Sequence, residues 1–377
     1  MKVLILSCNT GQGHNAAGRA IHERLLERGV QSEFADTLLF ASERVSRRVC
    51  KTYVDTTTHV PRVFGCAYHI ADFISGPNRK SPVYWANRAY RYRLLDHLKT
   101  NRVDVVVTPH LFPAQTLTCL RHEGLLIQKF IGVATDYTCI PFWEETRMDS
   151  FVIPHPDLMG EFVRKGIPRD ILKPLGIPVK KPFLLPRDRL GARKKLGWDA
   201  DTPTALIMSG SMGYGNVEKL IRILRAKSDG NLRIIVMGGN NEKLKKRLRT
   251  VFSGAPEVII LDFTREVPLY MDACDLLFTK PGGLTSTEAA VKNIPLVHTN
   301  PIPGCETMNA KFFSQRGMSI YETNVGRQVD AALALMNQNG RMQDMMRAQR
   351  SGIPADACDR ICDLIVQSGE EASLHKG

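Results

Sequence analysis

Residues 278–290, FTKPGGLTSTEAA, constrain the fold of this chain more than any other stretch. An apolar run, Leu276-Leu277-Phe278, feeds a glycine turn, Thr279-Lys280-Pro281-Gly282-Gly283, which opens at once onto helix-favouring residues. Strand, glycine turn, helix is how α/β proteins aim bare backbone N–H groups and a helix dipole at an anion, usually a phosphate. Glu288 falls within the first turn or two of that helix, so its carboxylate can face whatever lies beyond the strand ends. The arrangement predicts that this segment holds the ribose and diphosphate of a nucleotide-sugar.

The same grammar recurs along the chain. Apolar strands are expected at residues 3–6, 103–108, 129–134 and 150–153, with Phe34-Ala35-Asp36 closing another, and again at 205–209, 233–237, 258–261, 276–279 and 296–298, with helices between them. Residues 166–203 break the rhythm with prolines among lysines and arginines, a linker composition. The expectation is therefore two α/β domains with parallel sheets facing across a cleft. Residues 1–178 would form the first and residues 179–355 the second. Residues 356–377 would supply a terminal helix and tail that could pack back on the first domain.

Further glycine turns sit at strand ends. Ser209-Gly210-Ser211-Met212-Gly213 follows one strand, and it lacks the Lys-Ser/Thr of a Walker loop. Met237-Gly238-Gly239 follows another, and Asn300-Pro301-Ile302-Pro303-Gly304 precedes the polar set Glu306, Thr307 and Asn309. Several such turns along one sheet edge read as a diphosphate cradle. In the first half, Gly11-Gln12-Gly13-His14-Asn15-Ala16 fits the dinucleotide pattern G-x-G-x-x-A, with Asp36 some way downstream. A redox enzyme is one reading of it. His14 points elsewhere: a helix start disfavours imidazolium and keeps the ring able to accept a proton. His110 follows a buried strand at a second sheet edge, as an acceptor contact or a structural turn.

Composition bounds the partners. A formal net charge of +13 suits nucleic acid, anionic headgroups or phosphorylated substrates, and no nucleic-acid module accompanies it. The excess gathers in residues 62–99 and 164–195. Within 62–93, aromatics and arginines interleave, and Trp85, Arg88 and Arg91 suit a face resting on an anionic membrane. Tyr84, Tyr92, Leu94 and Leu95 also fit one packed helical face. Nine dispersed cysteines argue for reduced thiols and a cytoplasmic setting. No window is apolar enough to span a bilayer. Asp199-Ala200-Asp201 has the form of a D-x-D metal motif but precedes a strand, so it reads as loop solvation.

The glycine–His–x–Ala–Ala element, Gly176-Ile177-Pro178-Val179, TKPGGLTSTEA and PIPGCETMNA occur here in an order that resembles the monogalactosyldiacylglycerol synthase and processive diacylglycerol glucosyltransferase family. That family is related to the peptidoglycan glucosaminyltransferase of lipid-linked precursors. The resemblance implies the GT-B fold of two Rossmann-like domains, a UDP-sugar donor, inversion at the anomeric carbon, and no metal or other cofactor. It implies a lipid acceptor met at the inner face of the cell membrane. By position, Glu288 would bind the donor ribose, Glu306 and Asn309 the sugar hydroxyls, and Ser211, Gly213, Gly282 and Gly283 the diphosphate. Phe263 and Thr264 would meet the uracil through their backbone. His14 would be the general base, with Asp136 the second candidate. The family commonly has Gln where this chain has Cys305. It also has a histidine between the counterparts of Asp136 and Trp143, where this chain has Ile140, so the acceptor can differ from plain diacylglycerol. A UDP-sugar epimerase and a non-catalytic UDP-sugar-binding protein are the competing readings. The sugar, the acceptor, processivity and the oligomeric state stay open.

Overall fold

The computed structural model describes residues 1–9, 11–59, 70–71, 76, 80–210 and 216–374. Ser211 and Gly213 lie outside the described residues, as does much of 62–79.

Six strands form the first sheet: β1 (Lys2–Ser7), β2 (Gln31–Asp36), β3 (Val105–Thr108), β4 (Lys129–Val133), β5 (Ser150–Ile153) and β6 (Leu172–Pro174). They run parallel in the order β2-β1-β3-β4-β5-β6. Every residue of β3 and β5 is buried, which is why those strands are apolar without alternation. The second sheet is also parallel: β7 (Thr204–Met208), β8 (Arg233–Met237), β9 (Val258–Leu261), β10 (Leu276–Thr279), β11 (Leu296–His298) and β12 (Ile320–Tyr321), in the order β12-β11-β10-β7-β8-β9.

In both sheets the first strand is flanked on one side by the second and on the other by a later one. The strand order therefore reverses between β1 and β3, and again between β7 and β10. Helices leave in opposite directions at such a point and open a crevice beyond the carboxyl ends, the usual ligand site of an open α/β sheet. His14 and His110 follow β1 and β3; Gly210 and Lys280 follow β7 and β10.

The chain divides into two compact units. One comprises Met1–Lys180, Pro303–Cys305 and Pro354–Gly377, the other Lys181–Ile302 and Glu306–Ile353. Helix Ala357–Leu374 belongs to the first, where Ile361, Cys362 and Ile365 join Val3, Ile5, Ile21 and Val107 in one fully buried cluster. Burying each isoleucine is worth about 1.5–3 kcal/mol. Arg28 clamps the same helix through Asp359 and Asp363, each at 2.6 Å.

Two expectations need correction here. The linker-like stretch 166–203 contains β6 and the helices Lys181–Leu184 and Arg189–Lys195. As an edge strand, β6 tolerates its proline, which hid it from the sequence pattern. The basic run there is also not a free surface. Arg187 donates to the carbonyls of Asp272 and Cys274, and Arg193, only 1% exposed, reaches Asp275 at 2.8 Å. Arg189 holds the other oxygen of Asp275 at 2.6 Å.

Candidate active site

At the reversal point of the first sheet, helix Gln12–Glu27 begins after Gly11, whose backbone is extended and offers no side-chain cap. His14 therefore stands in the first turn, next to donors without intrahelical partners. Its Nδ1 lies 2.7 Å from Thr135 Oγ1, on the loop after β4. Its ring meets the edge of His110 with centroids 4.9 Å apart. Burial lowers the His14 pKa below the ordinary imidazole value, against opposing pulls from the Asp136 carboxylate and the Pro109 carbonyl. The neutral, proton-accepting ring is therefore the form present at neutral pH.

His110 is committed to structure. Its Nδ1 accepts from Phe112 N at 3.1 Å and so caps helix Leu111–His122. Thr108 Oγ1 locks the same turn from both sides, donating to His110 O and accepting from His110 N. Burial, and then the neighbouring His14, push the His110 pKa well down. The ring thus forms one wall beside His14.

The loop from Thr135 to Glu145 is braced from below. Thr138 Oγ1 and Cys139 N both donate to Glu161 Oε1, at 2.6 and 2.8 Å. Phe142 adopts a left-handed backbone, φ 75°, which is strained for a bulky residue. Glu145 accepts from Ser81 N, Ser81 Oγ and Gln115 Nε2. Trp143 is 3% exposed and packs at a tilt against Phe151, ring centroids 4.7 Å apart, so it supports this loop from inside and presents no open face to a membrane. Asp136, half-buried, stays at the His14 edge.

Asp36 is not available for a dinucleotide ribose. Oδ1 accepts from Leu38 N, and Oδ2 accepts from Ser46 Oγ and Asn9 Nδ2. The acid downstream of the glycine pattern at 11–16 is thus engaged by the chain's own groups, which weighs against the redox reading.

Of the proposed membrane residues, Trp85 is 54% exposed, with the Arg88 guanidinium 5.5 Å from its ring. Arg91 is turned inward onto Glu123 at 2.9 Å. Tyr84, Leu94 and Leu95 are buried as their spacing predicts, but Tyr92 is 55% exposed and carries Arg91 over its face. Among the described residues no helix is long and apolar enough to cross a membrane.

In the second unit, Gly210 leaves β7 with φ +74°. The stem of Lys280 lies against it, so a Cβ on Gly210 would come 2.7 Å from Lys280 Cε. Lys280 Nζ reaches Glu306 Oε1 at 2.6 Å, and Glu306 Oε2 accepts from Ile302 N at 2.9 Å. Asn309 Nδ2 donates to Pro281 O at 3.0 Å, tying helix Cys305–Gln315 to the turn. Gly282 is the cap position of helix Gly283–Val291, and no side-chain hydrogen bond caps its end. Glu288 is buried on that helix. The contacts thus gather Gly210, Lys280, Gly282, Glu306 and Asn309 around one reversal point. Phe263, 64% exposed, and Thr264 follow β9, three strand spacings from β10, or about 14 Å. Asp199 is a turn cap: Oδ1 accepts from Asp201 N and Thr202 N, and Oδ2 pairs with Arg233.

Thr135 and Lys280 are the contacts that sequence reasoning left unassigned. Position alone could have flagged Thr135, the second residue beyond β4 and adjacent to Asp136.

Residues 14–179 match the family model of monogalactosyldiacylglycerol (MGDG) synthase, and residues 188–351 match glycosyl transferases group 1. Together the two matches take in both reversal points. The chain is a glycosyltransferase of GT-B fold whose first unit is similar to monogalactosyldiacylglycerol synthases. Its relatives include a processive diacylglycerol beta-glucosyltransferase of Staphylococcus carnosus, 27% identical across 84% of this chain and 80% of that protein. MurG of Acinetobacter baumannii shares the fold with a TM-score of 0.64 at 19% identity, over 97% of this chain and 99% of that one. So does the UDP-GlcNAc 2-epimerase of Neisseria meningitidis bound to UDP-GlcNAc, with a TM-score of 0.62 at 13% identity, over 97% and 100%. At these identities the two structures speak to the fold alone, and the sequence matches speak for transfer.

Proposed function

We propose that this glycosyltransferase moves a hexose from a UDP-sugar to a hydroxyl of a diacylglycerol-type membrane lipid, with inversion and without a metal. The observation that carries the chemistry is His14, held by Thr135 at the β1/β3 reversal with its pKa lowered by burial. In a single displacement the acceptor oxygen attacks the anomeric carbon as the bond from that carbon to UDP breaks. The hydroxyl proton passes to His14, and the electron pair leaves with UDP. Departing negative charge is stabilised by backbone N–H groups at Gly282–Gly283 and by the start of the helix they open. Glu288 takes the ribose hydroxyls, Glu306 and Asn309 the sugar, and Phe263–Thr264 the uracil. The lipid acceptor rests on the activity named for the relative at 27% identity. Exposed Trp85, with half-buried Arg88 beside it, would seat the first unit on the anionic inner face of the cell membrane.

Incubation with radiolabelled UDP-glucose, UDP-galactose or UDP-GlcNAc and a bacterial lipid extract should place label in the organic phase for at least one donor. UDP should appear in step with that label, and EDTA should not abolish it. His14→Ala should keep UDP affinity and lower turnover about 10²- to 10⁴-fold. Label absent from the organic phase with every donor would refute the lipid acceptor. Epimerised UDP-sugar without acceptor-dependent UDP release would favour an epimerase.

A further inference from the structure

We propose that Lys280 changes partners when the donor binds, and that this exchange is what frees Glu306 to recognise the sugar. The inference rests on the donor-site reading given above.

Glu306 is held in two places. Oε2 accepts from Ile302 N at 2.9 Å, a backbone contact that fixes the carboxylate's direction. Oε1 is occupied by Lys280 Nζ at 2.6 Å. The Glu306 side chain is 10% exposed and that of Lys280 25%, so both sit partly out of water. The ammonium takes one lone-pair direction of Oε1 and neutralises its charge, so the oxygen becomes a stronger acceptor for a sugar hydroxyl once the ammonium is drawn away.

The ammonium stands where a diphosphate would draw it. Lys280 is the first residue beyond β10 at the reversal point. Its stem lies flat across Gly210, in the turn that follows β7. These are the two turns that flank the crevice, and the uncapped helix end at Gly282 opens beside them. An ammonium has three donors on a flexible stem, and a diphosphate offers more negative charge than one carboxylate. On donor binding, Nζ moves to a phosphate oxygen while Oε2 stays on Ile302 N. Oε1 is then free, already oriented, and next to the bound diphosphate. Sugar recognition is thereby conditional on the diphosphate being present. When UDP leaves, the ion pair closes again and competes with product rebinding.

The exchange predicts a gain of affinity, which structural damage would not produce. By calorimetric titration of the full-length protein, Glu306→Gln should bind UDP about three- to tenfold more tightly than wild type, because Lys280 no longer has a carboxylate to leave. Lys280→Met should bind UDP about tenfold more weakly, the loss of a charge-assisted contact. In Lys280→Met/Glu306→Gln the gain should vanish. Uridine, which has no phosphate, should bind all four proteins alike. If wild type binds UDP but Glu306→Gln binds it equally or more weakly, the exchange is wrong and the donor site stands. The exchange is equally wrong if the gain survives without Lys280, or if uridine shows it too. If wild type binds neither UDP nor uridine, the donor-site reading fails and the exchange with it.

Discussion

Gly210→Ala tests how tightly the turn after β7 is built. The native φ is +74°, a left-handed conformation that costs an L-residue about 1–2 kcal/mol. The new methyl would also lie 2.7 Å from Lys280 Cε and 3.0 Å from Cδ. Those atoms belong to a flexible stem, so repulsion is relieved by moving it. Moving it breaks the 2.6 Å pair with Glu306, and a partly exposed pair is worth about 0.5–1 kcal/mol. The total is about 1.5–3 kcal/mol. In a unit of this size each kcal/mol lowers Tm by about 2–4 °C, so scanning calorimetry of the full chain should show a drop of about 3–12 °C. In a Lys280→Ala background only the backbone cost remains, about 1–2 kcal/mol, and the additional drop should shrink accordingly. A Gly210→Ala protein within about 0.5 kcal/mol of wild type would refute the constrained turn. An equal penalty with and without Lys280 would refute the contact between them.

Three other outcomes follow from the structure. The Asp136 carboxylate raises the His14 pKa against the larger lowering by burial, and the base must be neutral, so turnover should fall as pH drops through that lowered pKa. Asp136→Asn removes the upward pull and should move the acid limb of kcat/KM to lower pH; a shift to higher pH would contradict the assignment. Asp275→Ala strands Arg193, 1% exposed, without its carboxylate, and should cost about 3–5 kcal/mol in stability by calorimetry, of which Asp275→Asn, keeping an acceptor but not the charge, should recover only part. Replacing both Trp85 and Arg88 by alanine should weaken sedimentation with anionic phosphatidylglycerol vesicles at least severalfold, at about 1 kcal/mol per arginine near the surface, while loss of the partly exposed Arg88–Glu123 pair at 3.3 Å should cost only about 0.2–1 kcal/mol of stability by calorimetry.

Most of the architecture was legible because buried parallel strands write themselves as short apolar runs and glycine turns mark their ends. Val105–Thr108 and Leu276–Thr279 needed nothing else. The strands that escaped were β6 and β12, three and two residues long at sheet edges, where partial burial leaves no pattern to read. The charge of residues 164–195 misled for a related reason. Lys and Arg look alike in a sequence whether solvated or buried, and only the carbonyls at 272–274 and the Asp275 carboxylate reveal that Arg187, Arg189 and Arg193 are framework.

At the candidate site the division is sharper. Residues that act through backbone, such as Gly210 and Gly282, are visible because their conformation selects their identity. His14 is visible because a histidine after a glycine turn has few structural uses. Pairings between distant segments are not visible: Thr135 with His14 is separated by 121 residues and Lys280 with Glu306 by 26. Sequence reasoning gave Glu306 a sugar to read and left Lys280 without a settled role. The structure joins them, and the join changes what each must do. A carboxylate holding an ammonium is a weaker acceptor for a hydroxyl than one whose ammonium has moved to a phosphate. The diphosphate turn and the sugar-reading residue are then one device, and a substitution in either should be felt in the affinity of the other.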